Sequence, residues 1–169
     1  MQTRHCIISS VIGPIRLIAS EKGLCGLYLD HERHAFRIPA QSVEDPAHFS
    51  AIICQLGAYF AGALRQFDIP LDLRGTPFQI RAWRALTAIP YGETCSYGEQ
   101  ARAIGQPPAV RAIGLANGKN PVSIIVPCHR VIGKNGALTG YGGGLERKRF
   151  LLDLESYSIG CSLSNSSAM

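Results

Sequence analysis

The sequence lacks the marks of an exported or membrane-spanning protein. No apolar run approaches the ~20 residues that a bilayer span requires, and the segment from Met1 to Cys6 contains no apolar core of a signal peptide. The six cysteines are scattered without a Cys-x-x-Cys pair, which argues against a disulfide framework and a thiolate zinc site. His31 and His34 have no third ligand near them in the sequence, so solvated side chains are the simpler interpretation. We therefore expect a cytoplasmic protein without a metal.

The composition is typical of a globular protein with a real core. Of 169 residues, 46% are hydrophobic, and this length suffices for one ordinary domain or two small ones packed together. There are 17 Lys and Arg residues against 12 Asp and Glu residues, which gives a formal charge of +5. Such a balance permits binding to a polyanion without requiring it.

Residues 1–74 are predicted to form an α/β scaffold domain with its connector. Short apolar or alternating runs between Cys6 and Leu29 indicate β-strands, and turn signals such as Gly13-Pro14 separate them. Between Pro46 and Leu64, apolar residues recur at three- and four-residue spacing. That spacing predicts a helix with one face toward the core.

Residues 75–157 are predicted to form a second, mostly helical domain. Thr76-Pro77-Phe78-Gln79 combines an N-cap threonine, a proline at N1 and a glutamine that closes a capping box. Ser96-Tyr97-Gly98-Glu99 repeats the capping-box pattern and opens a short helix through Ile104. Tyr97 shares one face of that helix with Ala101 and Ile104, so an ordinary core tyrosine is one interpretation of it.

A further short helix, Ala109 to Asn117, follows a tight turn and makes a helix-turn-helix candidate. At 100° per residue, Ala109, Val110 and Ile113 share one side, which we expect to face the core. The opposite side is a shallow surface with one long cationic side chain, and it consists of Arg111, Gly114, Leu115 and Gly118. Such a surface can lie close to a nucleic-acid groove, and an ordinary helical hairpin is the alternative.

The stretch that carries chemistry is Cys128-His129, after the apolar run from Val122 to Val126. A thiol becomes a good nucleophile only when its anion is stabilised, for example by an imidazole network, a helix N-terminus or a cation. In an extended segment neighbouring side chains point to opposite faces, so Cys128 and His129 need not touch directly. A water between the two side chains, with a carboxylate from elsewhere to orient the imidazole, would connect them. The dipeptide alone is also compatible with a buried structural cysteine.

The glycine-rich loop Gly140 to Gly144 leads into a predicted helix, Leu145 to Glu155. The loop matches no phosphate-binding fingerprint. A close approach to a planar group, with the loop tyrosine as a stacking face, fits it better. We expect Arg147 and Lys148 to lie on the exposed side of the helix, where they form a solvated face or, as the alternative, contact phosphate. The serine-rich residues 158–169 are expected to form a disordered tail.

As a set, these motifs resemble one family, the O6-alkylguanine-DNA alkyltransferases, also called methylated-DNA–protein-cysteine methyltransferases. The resemblance runs from about Gly75 to Glu155, and its segments occur in the family's order. They are Ile89-Pro90-Tyr91-Gly92-Glu93-Thr94, Ser96-Tyr97-Gly98, Ala109-Val110-Arg111-Ala112-Ile113-Gly114, Asn117-Gly118-Lys119-Asn120-Pro121, Ile125-Val126-Pro127-Cys128-His129-Arg130-Val131-Ile132-Gly133 and Thr139-Gly140-Tyr141. The N-terminal half resembles the family's ribonuclease H-like α/β domain more loosely, through Gly13-Pro14 and Tyr59-Phe60-Ala61-Gly62.

The resemblance implies roles for the matched catalytic positions. Cys128 is the implied alkyl acceptor, and His129, held by Glu155, would act through water to generate the thiolate. Tyr97 matches the tyrosine that helps turn the nucleotide out and protonates the base. Asn120 matches a hinge asparagine near the site. The implied fold is an α/β domain followed by a mostly α domain with a helix-turn-helix and an active-site loop.

The resemblance also implies how the substrate is held. The second helix of the helix-turn-helix would lie in the minor groove, where Arg111 takes the place of the flipped base. The implied DNA-binding residues are Arg111, Ala112, Gly114, Leu115 and Gly118, and the implied substrate pocket consists of Tyr141, Gly142 and Val131. Some relatives carry a hydroxyl residue where Gly142 stands, so we expect this pocket to accept bulkier alkyl groups.

The implied activity is direct-reversal DNA repair on double-stranded DNA that contains O6-alkylguanine, with O4-alkylthymine as a further substrate. Because the thioether product has no polarised carbonyl for water to attack, we expect one transfer per molecule, no turnover and no cofactor. Zinc is not expected, since Cys6, Cys25 and His31 do not fall where some relatives bind it. We expect a monomer, with cooperative binding to DNA left open.

Two other functions compete with this one. A DNA-binding sensor would recognise alkylguanine without repairing it, but relatives of that kind lack the acceptor cysteine. A cysteine hydrolase would use Cys128, His129 and Glu155, and it would need an oxyanion hole and turn over on an ester or peptide.

Overall fold

The N-terminal strands form a four-stranded sheet. The computed structural model describes residues 2–29 and 38–165, with side chains described as far as Ser158. Strands β1 (Arg4–Ile8), β2 (Ile15–Ser20) and β3 (Gly23–Leu29) pair antiparallel in chain order, and β4 (Val43–Glu44) adds to β1 in parallel. The predicted strands and the turns between them are therefore confirmed.

Helix α1 (Ser50–Phe60) buries Ile52, Leu56 and Tyr59 in the core that backs the sheet. It is shorter than the predicted helix from Pro46 to Leu64. At its start, Pro46–Phe49 forms a 3-10 turn capped by the Asp45 side chain. At its end, Gly62 has a φ of 73°, a left-handed conformation that stops a helix.

The C-terminal half is built from short helices that begin where their capping signals predict. Helix α2 is Pro77–Leu86 and helix α3 is Tyr97–Ala103. Both predicted capping boxes are present: Thr76 pairs with Gln79, and Ser96 pairs with Glu99. Gly105, with a φ of 72°, ends α3 and turns the chain toward α4.

Helix α4 (Val110–Asn117) packs on α2 and α3 through Ile113, Ala116 and Asn117. The prediction for its buried side was partly wrong. Val110, the first residue of α4, is 42% exposed. Ala109 belongs to the preceding 3-10 turn, Pro107–Ala109, and is half-buried.

Helix α5 (Leu145–Asn165) continues well past the predicted end at Glu155. The expectation of a disordered tail is therefore corrected as far as Asn165, and residues 166–169 lie outside the described residues. The expectation that Arg147 and Lys148 are exposed was also wrong. Lys148 is fully buried, and Arg147 is half-buried and donates to the Ile12 carbonyl at 2.8 Å. None of the helices in the described ranges combines the length and apolarity that crossing a bilayer demands.

The two halves share one core. Buried side chains of the sheet and of the C-terminal half belong to a single cluster that includes Leu17, Leu27, Trp83, Val122 and Leu151. A short parallel pair, β5 (Cys95–Ser96) with β6 (Val131–Ile132), joins the start of α3 to the segment after Cys128. The predicted boundary at residues 74 and 75 stays a prediction.

Candidate active site around Cys128

The outer edge of the sheet anchors the chain that leads to Cys128. The Leu27 amide of β3 donates to the Pro121 carbonyl at 2.8 Å, and the Ser123 amide donates to the Leu27 carbonyl at 3.0 Å. Ile124, which is 1% exposed, has a φ of 72°, which is costly for a β-branched residue. The approach to the cysteine is thus a bent, buried segment tied to β3.

Cys128 opens a 3-10 turn, Cys128–Arg130. This replaces the extended conformation that was expected for Cys128 and His129. The Arg130 amide donates to the Pro127 carbonyl at 3.0 Å and closes the turn. Cys128 is buried, with 6% of its surface exposed.

Asn120 holds the cysteine sulfur and the chain around it. Its Nδ2 donates to the Cys128 Sγ at 3.2 Å and to the Val126 carbonyl at 2.7 Å. Its Oδ1 accepts from the Val122 amide at 3.1 Å. A donor fixed in this way stabilises an anionic sulfur more than a neutral one.

His129 is fully buried and is oriented by Glu155. Its Nε2 lies 2.8 Å from the Glu155 Oε1 and donates to it, because an ionised carboxylate can only accept. Nδ1 is then the basic nitrogen, and it is buried without a hydrogen-bond partner in the described part of the chain. Burial lowers the pKa of His129 despite the opposing effect of Glu155. The ring is therefore a neutral acceptor at neutral pH.

Glu155 is the centre of a buried polar network that the sequence did not reveal in full. Its Oε2 accepts from the Arg130 Nε at 2.9 Å and from the Gly92 amide at 3.0 Å. Its Oε1 accepts from the Arg130 Nη2 at 3.0 Å. Burial favours a higher pKa for Glu155, but the donors from His129 and Arg130 prevail and lower the pKa to about 2. The carboxylate is thus ionised throughout the working range.

Lys148 places a buried cation beside the cysteine. Its Nζ donates to the carbonyls of Val131 at 2.5 Å and Thr139 at 2.8 Å. Burial lowers the pKa of Lys148 to about 8, and the nearby Cys128 acts in the opposite direction. Sequence reasoning missed this residue, although Lys148 precedes the buried Leu151 by one turn and so lies on the inner face of α5.

Tyr97 contacts both Thr139 and Lys148. Its hydroxyl donates to the Thr139 carbonyl at 3.0 Å, and its ring lies 5.9 Å below the Lys148 Nζ. Burial raises the pKa of Tyr97, and the charge of Cys128 adds to the effect. Tyr97 also packs on the small cluster of Ala101 and Ile113, so it is both a core residue and a neighbour of the sulfur.

The three predicted pocket residues differ in exposure. Tyr141 and Gly142 are half-buried, and Tyr141 packs against the core cluster that contains Cys128. Val131 is fully buried, and its carbonyl accepts a hydrogen bond from the Lys148 Nζ. Their role in holding a substrate stays a prediction.

The outward face of α4 has the low relief that its sequence predicts. Arg111 and Ala112 are exposed, Leu115 is 70% exposed, and the glycines Gly114 and Gly118 leave a shallow surface between them. A Cβ at Gly114 would lie 3.9 Å from the Tyr97 ring, so this face is close to the site. The contact of these residues with DNA stays a prediction.

Within the described ranges, no three His, Cys, Asp or Glu side chains come together as a metal site. His31 and His34 lie outside the described residues, so the expectation for them, and for the absence of zinc, stays a prediction.

Comparison with known proteins gives matches over both halves of the chain. Residues 4–73 match the family model of the 6-O-methylguanine DNA methyltransferase ribonuclease-like domain, and residues 77–157 match that of the DNA-binding domain. The chain is 56% identical over 150 residues to a methylated-DNA–protein-cysteine methyltransferase of Mycobacterium tuberculosis, covering 88% of this chain and 89% of the relative. A protein of the same name from Methanosarcina acetivorans is 52% identical over 151 residues, covering 89% of this chain and 97% of the relative.

A solved structure resembles the whole molecule. The crystal structure of Mycobacterium tuberculosis OGT in complex with DNA superposes with a TM-score of 0.85 at 53% identity, covering 94% of each chain. The likeness includes the sheet-containing N-terminal half and the helical C-terminal half, which confirms the predicted fold class.

Proposed function

Since the chain belongs to the methylated-DNA–protein-cysteine methyltransferase family, we propose that it repairs double-stranded DNA by moving the alkyl group of O6-alkylguanine to Cys128. DNA repair by alkyl transfer to a protein cysteine is the activity of this family by name. The assignment of the acceptor rests on one observation: the Cys128 Sγ accepts a hydrogen bond from Asn120, and the next residue in the chain, His129, is held through its Nε2 by Glu155.

The first step is ionisation of the thiol. The Cys128 proton passes, through a water, to the basic Nδ1 of His129, and Glu155 stabilises the resulting imidazolium. The Asn120 amide and the Lys148 ammonium stabilise the thiolate that is left. The Asn120, His129 and Lys148 side chains are each held by hydrogen bonds in the protein alone, which supports a site that the substrate does not need to assemble.

The second step is displacement at the alkyl carbon. The thiolate forms the S–C bond as the C–O6 bond breaks, and the electron pair of that bond stays with guanine. Tyr97 donates a proton to the leaving base. The proton held by the His129 imidazolium then returns to Tyr97. The thiol proton therefore ends on guanine, and the protein retains a thioether. Because a thioether offers water no polarised carbonyl, each molecule reacts once.

The substrate reaches the sulfur by rotation out of the duplex. A base-paired O6 substituent is inaccessible to a protein atom, so the nucleotide must be extruded. The outward face of α4 supports binding in the minor groove, since its glycines and Ala112 allow close approach. Arg111 occupies the space that the base leaves. A pocket of Tyr141, Gly142 and Val131 receives the guanine, and O4-alkylthymine presents the same kind of alkyl–oxygen bond.

The test is to locate the transferred group. The protein is incubated with a duplex that contains O6-methylguanine with a labelled methyl carbon, and its peptides are then mapped by mass spectrometry. We expect the label on the peptide that contains Cys128 and unmodified guanine in the DNA. A label on another side chain would contradict the assignment of Cys128. Binding of the duplex without any label would instead identify a sensor, and repeated turnover on an ester or peptide would identify a hydrolase.

A further inference from the structure

The N-terminal half contributes one side chain to the network beneath Cys128. Tyr59 lies in the last turns of α1, and it is fully buried. Its hydroxyl donates to the Glu155 Oε1 at 2.7 Å, although the two residues are 96 positions apart in the sequence. This oxygen is the one that orients His129. A residue of the sheet domain therefore contacts the group on which the proposed base depends.

Three donors share the Glu155 Oε1. They are the Tyr59 hydroxyl at 2.7 Å, the His129 Nε2 at 2.8 Å and the Arg130 Nη2 at 3.0 Å. Each donor stabilises the negative charge on that oxygen and so weakens its attraction for the other two. Burial, with Glu155 adding to the effect, raises the pKa of Tyr59, so the hydroxyl keeps its proton at every working pH.

We propose that Tyr59 is a positioning residue for the alkyl transfer, whose hydroxyl moderates the attraction of Glu155 for His129 and thereby sets the pH range in which His129 can accept the Cys128 proton. This inference rests on the proposed function. Tyr59 touches neither the sulfur nor the substrate, and it acts through Glu155 alone. With the hydroxyl present, the imidazolium is stabilised less, and His129 stays neutral to lower pH.

The Tyr59 hydroxyl can be removed without changing the charged groups around His129. Arg130 and Lys148 lower the pKa of His129, whereas Glu155 raises it. Around Tyr59, the nearby rings are those of Phe60, Phe67 and Tyr91, and Arg130 lies over the Tyr91 ring. Replacing tyrosine by phenylalanine keeps the ring in this cluster and changes none of these charges.

The experiment measures the single-turnover rate constant for transfer from an O6-methylguanine duplex as a function of pH. The DNA is in excess, so the rate constant does not depend on how much of a variant is folded, and the reaction amplitude counts the folded molecules. In Tyr59→Phe we expect the midpoint of the acidic limb to move up by roughly 0.5 to 1 pH unit, because Glu155 then attracts the His129 proton more strongly.

The matched control is Tyr91→Phe. Tyr91 belongs to the same aromatic cluster, and its hydroxyl is buried without a hydrogen-bond partner in the part of the chain that is described. We expect its midpoint to equal that of the wild type. An equal shift in both variants, or a Tyr59→Phe rate that falls by one factor at every pH, would identify a merely structural role and overturn the proposal.

A second variant covers the case in which Tyr59→Phe does not fold. Incorporation of a fluorinated tyrosine at position 59 preserves the hydroxyl and makes it a stronger donor. We expect the acidic limb to move to lower pH, opposite to the phenylalanine variant, and an unchanged limb would contradict the proposal. If the wild type itself transfers no methyl group to Cys128, the proposed function fails instead, so the two failures are distinguishable.

Discussion

The network beneath Cys128 and the outward face of α4 differ in almost every physical respect. In the network, the carboxylate of Glu155 and the imidazole of His129 are both fully buried, and Glu155 is surrounded by donors. On α4, Arg111 is exposed and Leu115 is 70% exposed on a surface lowered by glycines. In the first region the charged groups are paired within the protein, whereas the second region is an exposed surface.

Under the proposed function, the buried network carries the chemistry and the exposed face of α4 carries the recognition of DNA. A buried charge that loses its partner is costly, so substitutions in the network should affect both folding and reaction rate. Exposed residues on α4 contribute little to folding, so their substitution should affect only substrates that contact the helix. The following predictions test this division, from the largest expected effect to the smallest.

The largest effect is expected for Glu155→Gln. The amide cannot balance the charge of Arg130 or stabilise an imidazolium on His129, while its shape is unchanged. We expect the transfer rate constant to fall by about 100-fold or more and the free energy of unfolding to fall by about 3–5 kcal/mol. Single-turnover kinetics and denaturant unfolding measure the two effects. A stable variant with a normal rate would show that the network is not needed.

The stability effect of Glu155 has a defined pH dependence. Its pKa is lowered to about 2 in the folded protein, against about 4.3 in an unfolded chain. A lowered carboxyl pKa stabilises the fold above the unfolded value, and this contribution is lost as the pH falls from about 4.3 toward 2. The difference in unfolding free energy between wild type and Glu155→Gln should therefore shrink across that window and stay constant between pH 6 and 7.

A smaller effect is expected for Lys148→Met, which removes the cation beside Cys128 but keeps an apolar chain of similar length. We expect the rate constant to fall about tenfold at pH 7. Because the pKa of Lys148 is lowered to about 8, the wild type loses this charge as the pH rises through 8. The ratio of wild-type to variant rates should therefore narrow above that pH.

The control for Lys148→Met is Arg149→Met, which removes an exposed cation from the next position of α5. We expect its rate constant and pH dependence to match the wild type. If the two variants lose activity equally, net charge rather than the buried ammonium is responsible.

Arg111→Ala tests the exposed region. With a duplex substrate we expect the rate constant to fall about tenfold, because the space of the extruded nucleotide is left unfilled. With free O6-benzylguanine, which has no duplex to open, the rate constant should be unchanged. Lys22→Ala, at an exposed turn of the sheet domain, removes a cation without touching α4. It should alter neither the rate constant with the duplex nor the rate constant with the free base. A loss of reactivity toward the free base would break the division between the two regions.

The smallest effect is expected for Gly142→Ser. An added hydroxymethyl group narrows the predicted pocket and supplies a hydrogen bond to the base, so the ratio of benzyl to methyl transfer should fall by a few-fold. Parallel single-turnover measurements with the two substrates give this ratio. Gly57→Ser, on the face of α1 where a Cβ meets open space, is the control. An unchanged ratio in Gly142→Ser would remove Gly142 from the specificity determinants.

Local signals predicted the elements that position the site. The capping boxes at Thr76 and Ser96 placed the starts of α2 and α3 correctly, because a cap depends on side chains within one turn. The 3-10 turn at Cys128 was not predicted, since the apolar run before it has the composition of a strand. The chain before this turn is hydrogen-bonded to β3 at Pro121 and Ser123, and these long-range contacts are not visible in the local sequence.

Most hydrogen-bond partners of Glu155 could not be predicted from the sequence. His129 is 26 positions away and was assigned its role through a family resemblance, whereas Tyr59, 96 positions away, belongs to a segment that resembles the family but was given no role. Lys148 was misassigned to the solvent because charged residues on helices are usually exposed. Helical periodicity locates the buried face of α5, but it does not identify a cation whose charge is satisfied by distant carbonyls.

The most direct test of the account is the stoichiometry of lesion removal. A duplex with O6-methylguanine is titrated with protein, and the repaired guanine is counted after the reaction has stopped, in parallel for the wild type and Cys128→Ala. We predict that the wild type repairs one lesion per active molecule and then stops, while Cys128→Ala binds the duplex and repairs none. Continued repair beyond one lesion per molecule, or any repair by Cys128→Ala, would contradict the claim that Cys128 is a permanent acceptor.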